Sequence, residues 1–224
     1  MAPRRREAPP GPTTAAALAD DLRRRILSGD PGPGAPLREE GLARAHGVSR
    51  HTVRSALAVL AAERLVVVEP YRGARVASLD DAALVALQEL RGALEAEAVR
   101  LLRERHGEAW PAAVLAPVEA ALARLERADG ADPGDWPETA RAHAAVHRAL
   151  VSAAGSPRIT EAYERLDSEI LLLLLHVRPH YPRGSLTAEH RAYVAATRRR
   201  GEAEVRAHLA HSTALIVEAR SHAG

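Results

Sequence analysis

LREEGLARAHGVSRHTVRSALAVLAAERLVVVEPYRG, residues 37–73, sets two short apolar-periodic segments on either side of Gly47-Val48 and closes on the tip Tyr71-Arg72-Gly73. Gly47 suits the left-handed backbone that ends a helix, because it has no Cβ to clash. Ser49 follows as an N-cap whose hydroxyl can accept from the free amides of the next turn. Leu42, Ala43 and Val48 form the apolar side of the first segment and the turn, and Val53, Leu57 and Leu60 form one inward stripe on the second. The pattern predicts a helix, a turn and a capped helix. Arg50, Thr52 and Arg54 fall off the apolar stripe, in the first turn and a half of the second helix. A recognition helix carries its donors there: Arg pairs with guanine O6 and N7 or with phosphate, and Thr bonds a phosphate oxygen.

After Arg64, the run Leu65-Val66-Val67-Val68 is rich in β-branched residues, too short for a helix and ended by Glu69-Pro70. Ala74-Arg75-Val76-Ala77 reads as its return strand. A hairpin bearing Arg72 and Arg75 beside a recognition helix is a basic wing, suited to phosphate or minor-groove contact. The order helix, turn, capped helix and basic wing points to double-stranded DNA.

Ile26-Leu27-Ser28-Gly29, Pro33-Gly34, Leu37-Arg38-Glu39, Gly47-Val48-Ser49-Arg50, Val53-Arg54, Ala56-Leu57, Leu60, Leu65-Val66 and Arg72-Gly73 together resemble the DNA-binding domain of GntR-type transcription regulators. The resemblance covers about residues 15–77 and implies a dimeric bacterial repressor or activator whose DNA affinity answers to a small metabolite. With the helix reading above, the expected DNA-contact set is Arg38, Ser49, Arg50, Thr52, Arg54, Arg72 and Gly73. At Glu40 the chain departs from members that carry Arg, which implies a different base preference.

Length and composition bound the remainder. The 224 residues allow a tail (1–12), a small winged-helix domain (13–78) and a helical domain (79–224) large enough to bury its own core. The first 78 residues hold 13 Arg against 8 acidic residues, the rest 18 against 21, so the basic end is the predicted DNA end. Affinity then comes from a few placed arginines per subunit, doubled by dimerisation and weakened by salt. With no Cys, disulfides and thiolate metal sites are excluded. The longest apolar run, Ile170 to Leu175, is far short of the roughly 20 residues a membrane span needs. Arg4-Arg5-Arg6 leads into Pro and Gly rather than an apolar stretch, so no signal peptide is read and a cytoplasmic location is expected. The Pro-rich, charged residues 1–12 read as a disordered tail.

A first helix is expected from Thr13 or Thr14 to Gly29, with Leu18, Leu22 and Ile26 inward, followed by the rigid loop Asp30-Pro31-Gly32-Pro33-Gly34. Beyond Asp80 helical periods dominate, at about 80–106, 111–128, 137–154, 157–177, 186–200 and 202–222. They predict an antiparallel all-α bundle. His143 and His147 lie four apart on one helix face, about a turn from each other, where neutral imidazoles can share zinc, nickel or a similar divalent ion. His176 and His180 have the same spacing but are interrupted by Pro179.

An all-helical half behind such a DNA-binding domain resembles the FCD subfamily of these regulators. The match runs through His143, His147 and Leu150, the helix end Ala153-Ala154-Gly155-Ser156, and Glu189-His190. Two of the four metal ligands that the resemblance implies are altered, His143 standing for Asp and Ser212 for His. His208 lies one turn before Ser212 and His211 beside it. Two readings follow: a metal site of His143, His147, His190 and either His208 or His211, or a pocket that takes an organic ligand through polar groups alone. The effector implied is a small carboxylate. Arg91, in Leu90-Arg91 with Leu94-Glu95, is the candidate anchor, since a guanidinium can grip a carboxylate with two parallel bonds. Pairing of Arg91 with Glu95 on an exposed helix face is the plain alternative, and Arg178 is a second candidate anchor.

A three-histidine site with an open position also serves metal hydrolases. Here no carboxylate is evidently placed as general base and no Gly-rich phosphate loop follows a strand, so the chain does not read as an enzyme. A ligand-independent architectural DNA binder is disfavoured by the size of the helical half.

Overall fold

The structure, a computed structural model, describes residues 14–69, 72–130, 136–175 and 185–221. The expected tail (1–12), the Tyr71 tip, the His176 and His180 pair and Arg178 lie outside the described residues. Two compact units are present, Met1–Ser78 and Leu79–Gly224.

The first unit begins with α1 (Thr14–Ile26), whose Leu18, Leu22 and Ile26 recur every fourth residue and are buried. It continues through α2 (Glu39–His46) and α3 (Arg50–Ala62), and α1 packs on α3. The Arg23 guanidinium donates to both oxygens of Glu63 at 2.6 and 2.5 Å, clamping α1 to the end of α3. Gly47 ends α2 at φ 62°, and Ser49 caps α3 by accepting from Thr52 N at 3.1 Å, as their residue types predict. Val53, Ala56, Leu57 and Leu60 of α3 form the core stripe. Leu42, Ala43 and Val48 are only half-buried.

The wing strands β2 (Val66–Glu69) and β3 (Gly73–Val76) pair antiparallel with Val66 opposite Val76 and Glu69 opposite Gly73. A short strand not anticipated from sequence, β1 (Pro36–Leu37), pairs with the other edge of β3 and gives the order β1-β3-β2. Leu37 is buried by this pairing, which ties the chain just ahead of α2 to the wing.

The second unit holds α4 (Asp81–His106), α5 (Ala112–Asp129), α6 (Trp136–Ala153), α7 (Pro157–Glu164), α8 (Asp167–Leu175), α9 (Ser185–Arg200) and α10 (Glu202–Ser221). α4 packs against α10 and α6, and α5 packs against α6 and α9. Without Phe, the core is filled by Leu, Val and Ala with Tyr163, Tyr193 and Trp110. The expected single helix 157–177 breaks at Arg165-Leu166 into α7 and α8. The break has tertiary causes: Tyr163 is held by Glu95, and Asp167, opening α8, is paired with Arg148 of α6. Among the described residues, no helix is long and apolar enough to cross a membrane.

Asp129, at the end of α5, accepts from both the backbone N and the hydroxyl of Thr187 at 3.0 Å. This carboxylate caps the first turn of α9 and fixes the register that carries His190.

Candidate DNA-contact face and histidine centre

Arg50, Arg54 and Thr52 stand in the first turns of α3, and Arg38 at the N-terminal edge of α2 and Arg72 on the wing are exposed. Gly73 takes φ 78°, so the wing backbone turns tightly where a side chain would strain it. Thr52 shares its hydroxyl with Ser49 at 2.8 Å. Arg54 Nε donates to both carboxylate oxygens of Glu39 at 3.1 and 2.9 Å, and Arg50 Nη2 lies 3.1 Å from Glu40 Oε2. Sequence reading missed these carboxylate partners. Adjacent acids at the start of α2 look like ordinary company for a helix N-terminus, and only the α2–α3 crossing brings them to the arginines.

In the second unit, one line of polar side chains runs through the apolar stripe of α4. Leu84, Gln88, Arg91, Glu95, Ala98 and Leu102 share its inward face, and all are buried. The pairing of Arg91 with Glu95 thus forms, but inside the bundle rather than on an exposed face, at 2.7 Å with 2% and 0% side-chain exposure. Glu95 also accepts from the hydroxyls of Tyr163 at 2.6 Å and Tyr193 at 3.1 Å, and pairs with His147 Nδ1 at 3.0 Å. Burial works to raise this carboxyl, but His147 and Arg91 beside it hold it well below the usual range. Sequence reading missed the hub role of Glu95. The available signal was Gln88, Arg91 and Glu95 standing where the periodicity of α4 calls for apolar residues.

His143 and His147 of α6 meet His190 of α9, with one ring nitrogen from each within 4.8 Å of the others. His190 Nδ1 faces the carbonyl of Leu186 at 2.7 Å, and His147 Nδ1 faces the ionised Glu95. Both partners only accept, so both Nδ1 atoms carry the hydrogen and both Nε2 atoms present lone pairs. Those two lone pairs face each other at 3.1 Å. Two acceptors so placed want a cation between them, and two nitrogens on one tetrahedral zinc lie about 3.3 Å apart. His143 Nδ1 is buried with no hydrogen-bond partner among the described residues. The donor set fits a divalent metal.

His208 brings a fourth ring to the cluster, with its centroid 5.0 Å from that of His190, stacked on Tyr193 at 4.2 Å. His211 is exposed and not in the triad, so of the two residues left open by sequence it is His208 that the fold brings close. A cavity of about 520 Å³ between α9 and α10 is lined by Glu189, Tyr193, Arg199, His208 and His211, and so reaches the histidine centre through Tyr193 and His208.

Burial pushes His143, His190, His147 and His208 down, His208 to about 3, so all four are neutral and ready to ligate. A lowered imidazole contributes stability that is complete above its ordinary value of 6.5 and is lost as pH falls toward the folded value. Metal-stripped protein is therefore expected to lose thermal midpoint from pH 7 to pH 5. His208→Asn should flatten that slope by removing one of the protons taken up on unfolding, and an equal slope in both proteins would refute the neutral burial of His208.

Residues 14–76 match the family described as bacterial regulatory proteins, gntR family, and residues 86–214 match the FCD domain. The chain belongs to the GntR family, with an FCD domain. Over 214 residues, covering 94% of the chain and 90% of the relative, it is 30% identical to the "Probable D-xylose utilization operon transcriptional repressor" of Paenarthrobacter nicotinovorans. It is 34% identical over 147 residues, 65% of each chain, to the HTH-type transcriptional repressor GlaR of Escherichia coli (strain K12). A crystal structure of a GntR transcriptional regulator from Rhodococcus sp. RHA1 superposes with a TM-score of 0.75 at 26% identity, covering 91% of this chain and 97% of that one. This GntR protein is accordingly a DNA-binding transcription regulator with a ligand-binding FCD domain, in a family of regulators rather than enzymes.

Proposed function

We propose that this regulator binds a palindromic duplex operator as a homodimer, and that a small carboxylate metabolite, held in the FCD bundle with a divalent zinc or nickel ion, sets its operator affinity. Two-fold symmetry would present two α3 helices to half-sites about one duplex turn apart. The DNA contacts are assigned to Arg38, Ser49, Arg50, Thr52, Arg54, Arg72 and Gly73, supported by the capped start of α3 and by the exposure of all of them but Thr52, which is half-buried.

The observation that carries the metal reading is the pair of imidazole lone pairs facing each other across 3.1 Å in the core of the bundle. His143, His147 and His190 would hold the ion, with His208 the ring placed to complete the set. When bound, the ion supplies positive charge for a ligand carboxylate, and an all-imidazole set suits zinc or nickel. The protein's own groups do the rest. Glu95 fixes the tautomer of His147, and the Leu186 carbonyl fixes that of His190. Arg91 Nε is engaged by Glu95 and Tyr163, but its Nη2 and Gln88 Nε2 are buried with no hydrogen-bond partner among the described residues. Arg91 Nη2 is thus the nitrogen placed to meet a ligand oxygen, with Nη1 3.4 Å from Gln88 Oε1.

Purified protein is expected to carry about one zinc or nickel per chain, and His147→Ala to weaken metal binding by at least about a hundredfold. Metal analysis checks both, and equal metal in the two proteins ends the metal reading. A thermal-shift screen of organic acids with and without zinc should then find the effector. Because coupling is reciprocal, operator DNA must change that effector's affinity by the factor by which the effector changes the operator's.

A further inference from the structure

We infer that Glu40 is a specificity-determining residue: paired with Arg50, it makes α3 discriminate against any duplex that lacks an amino donor for the carboxylate beside guanine acceptors for the guanidinium. The inference rests on the assignment of Arg50 as a DNA contact.

Glu40 stands in the first turn of α2 and Arg50 in the first turn of α3, Nη2 to Oε2 3.1 Å apart, with side chains 60% (Arg50) and 66% (Glu40) exposed. The other carboxylate oxygen of Glu40 lies 3.6 Å from Arg44 Nη2. The donor at the leading edge of the recognition helix thus comes with an acceptor already beside it. An exposed pair of this kind contributes little to folding. Its consequence falls on binding.

When a duplex approaches, a phosphate that takes Arg50 either displaces Glu40 from Nη2 or binds the remaining guanidinium donors, and in both cases it sits beside the Glu40 carboxylate. Negative charge so close to the backbone penalises every duplex that offers Arg50 only a phosphate. One arrangement avoids the penalty. A carboxylate accepts from cytosine N4–H, while Arg donates to guanine O6 and N7, and both atom sets lie on major-groove edges. A half-site presenting the two together gives each member of the pair a new partner, whereas a random duplex offers only phosphate. Such discrimination by an element that rejects wrong partners is a general route to specificity.

The test uses full-length protein and two probes: a random-sequence duplex, and the duplex that wild type enriches from a randomised library. Glu40→Gln keeps the size and removes the charge at an exposed position. It should bind the random duplex about tenfold more tightly and steepen the salt dependence by about one counterion per subunit, as Arg50 becomes free to neutralise a phosphate. Its preference for the selected duplex over the random one should shrink, and its own selection should relax at one base pair per half-site. An equal gain on both duplexes, or no change on either, overturns the inference. Arg50→Ala, run alongside, separates the premises. If it keeps wild-type preference, the assignment of Arg50 itself fails, and if it loses preference while Glu40→Gln is silent, only the role of Glu40 fails.

Discussion

The Arg50→Ala/Arg54→Ala variant is expected to lose preference for the selected duplex over scrambled sequence while keeping its fold. Both arginine side chains are 60% or more exposed, and each is paired with a carboxylate of α2. Deleting them leaves Glu39 and Glu40 to water, at a cost to folding of at most about 1 kcal/mol per pair. The cost to binding is of another order. A bidentate Arg–guanine contact discriminates by about 1–3 kcal/mol, and the proposed homodimer would place four such arginines on its site, so affinity for the selected duplex should fall at least about a thousandfold. Fluorescence anisotropy on selected and scrambled duplexes measures the loss, and thermal melting controls for the fold. A folded double variant that still prefers the selected duplex would remove α3 from the recognition reading.

The second large effect is expected at Glu95, in the middle of the bundle. Its carboxylate is fully buried and accepts from Arg91 Nε at 2.7 Å, from two tyrosine hydroxyls and from His147 Nδ1. Glu95→Ala leaves the buried Arg91 cation uncompensated and three further donors without their acceptor. Breaking a buried pair on one side costs about 3–5 kcal/mol. In a protein of this size that lowers the thermal midpoint by about 10 °C. Replacing both charges, as Arg91→Met with Glu95→Leu, should recover much of that loss, because no orphan charge remains in the core. If Glu95→Ala melted within about 2 °C of wild type, the carboxylate would not be the hub the geometry describes. The same variant should bind metal more weakly, since His147 would no longer be fixed in the tautomer that turns Nε2 inward.

These two sites differ in how far the sequence discloses them. The donors of α3 are legible because every feature that defines them is local. Gly47 ends one helix, Ser49 caps the next, and the stripe Val53, Leu57 and Leu60 decides which side faces inward, so Arg50 and Arg54 face outward by elimination. Helix bounds in the FCD domain follow Gly and Pro for the same reason. Where a bound depends on a distant partner, local reading fails. The break between α7 and α8 carries no Gly or Pro, and comes from Tyr163 and Asp167 being held by α4 and α6.

The histidine centre divides along the same line. His143 and His147 are neighbours by helix geometry alone, and His190 is marked by resemblance. The choice between His208 and His211 depends on the rotation of α10 against α9, which the spacing of three residues does not decide.

Chain order and local propensity by themselves therefore determined that a capped helix with two leading arginines precedes a wing and a helical bundle, because hydrogen bonds and periodicity within a few residues dictate those elements. Packing alone decided that Glu39 and Glu40 meet those arginines, that Arg91 and Glu95 are buried, and that two imidazole lone pairs converge. Each depends on helices distant in sequence crossing at one place, and the direction a side chain takes at such a crossing is set by its neighbours in space.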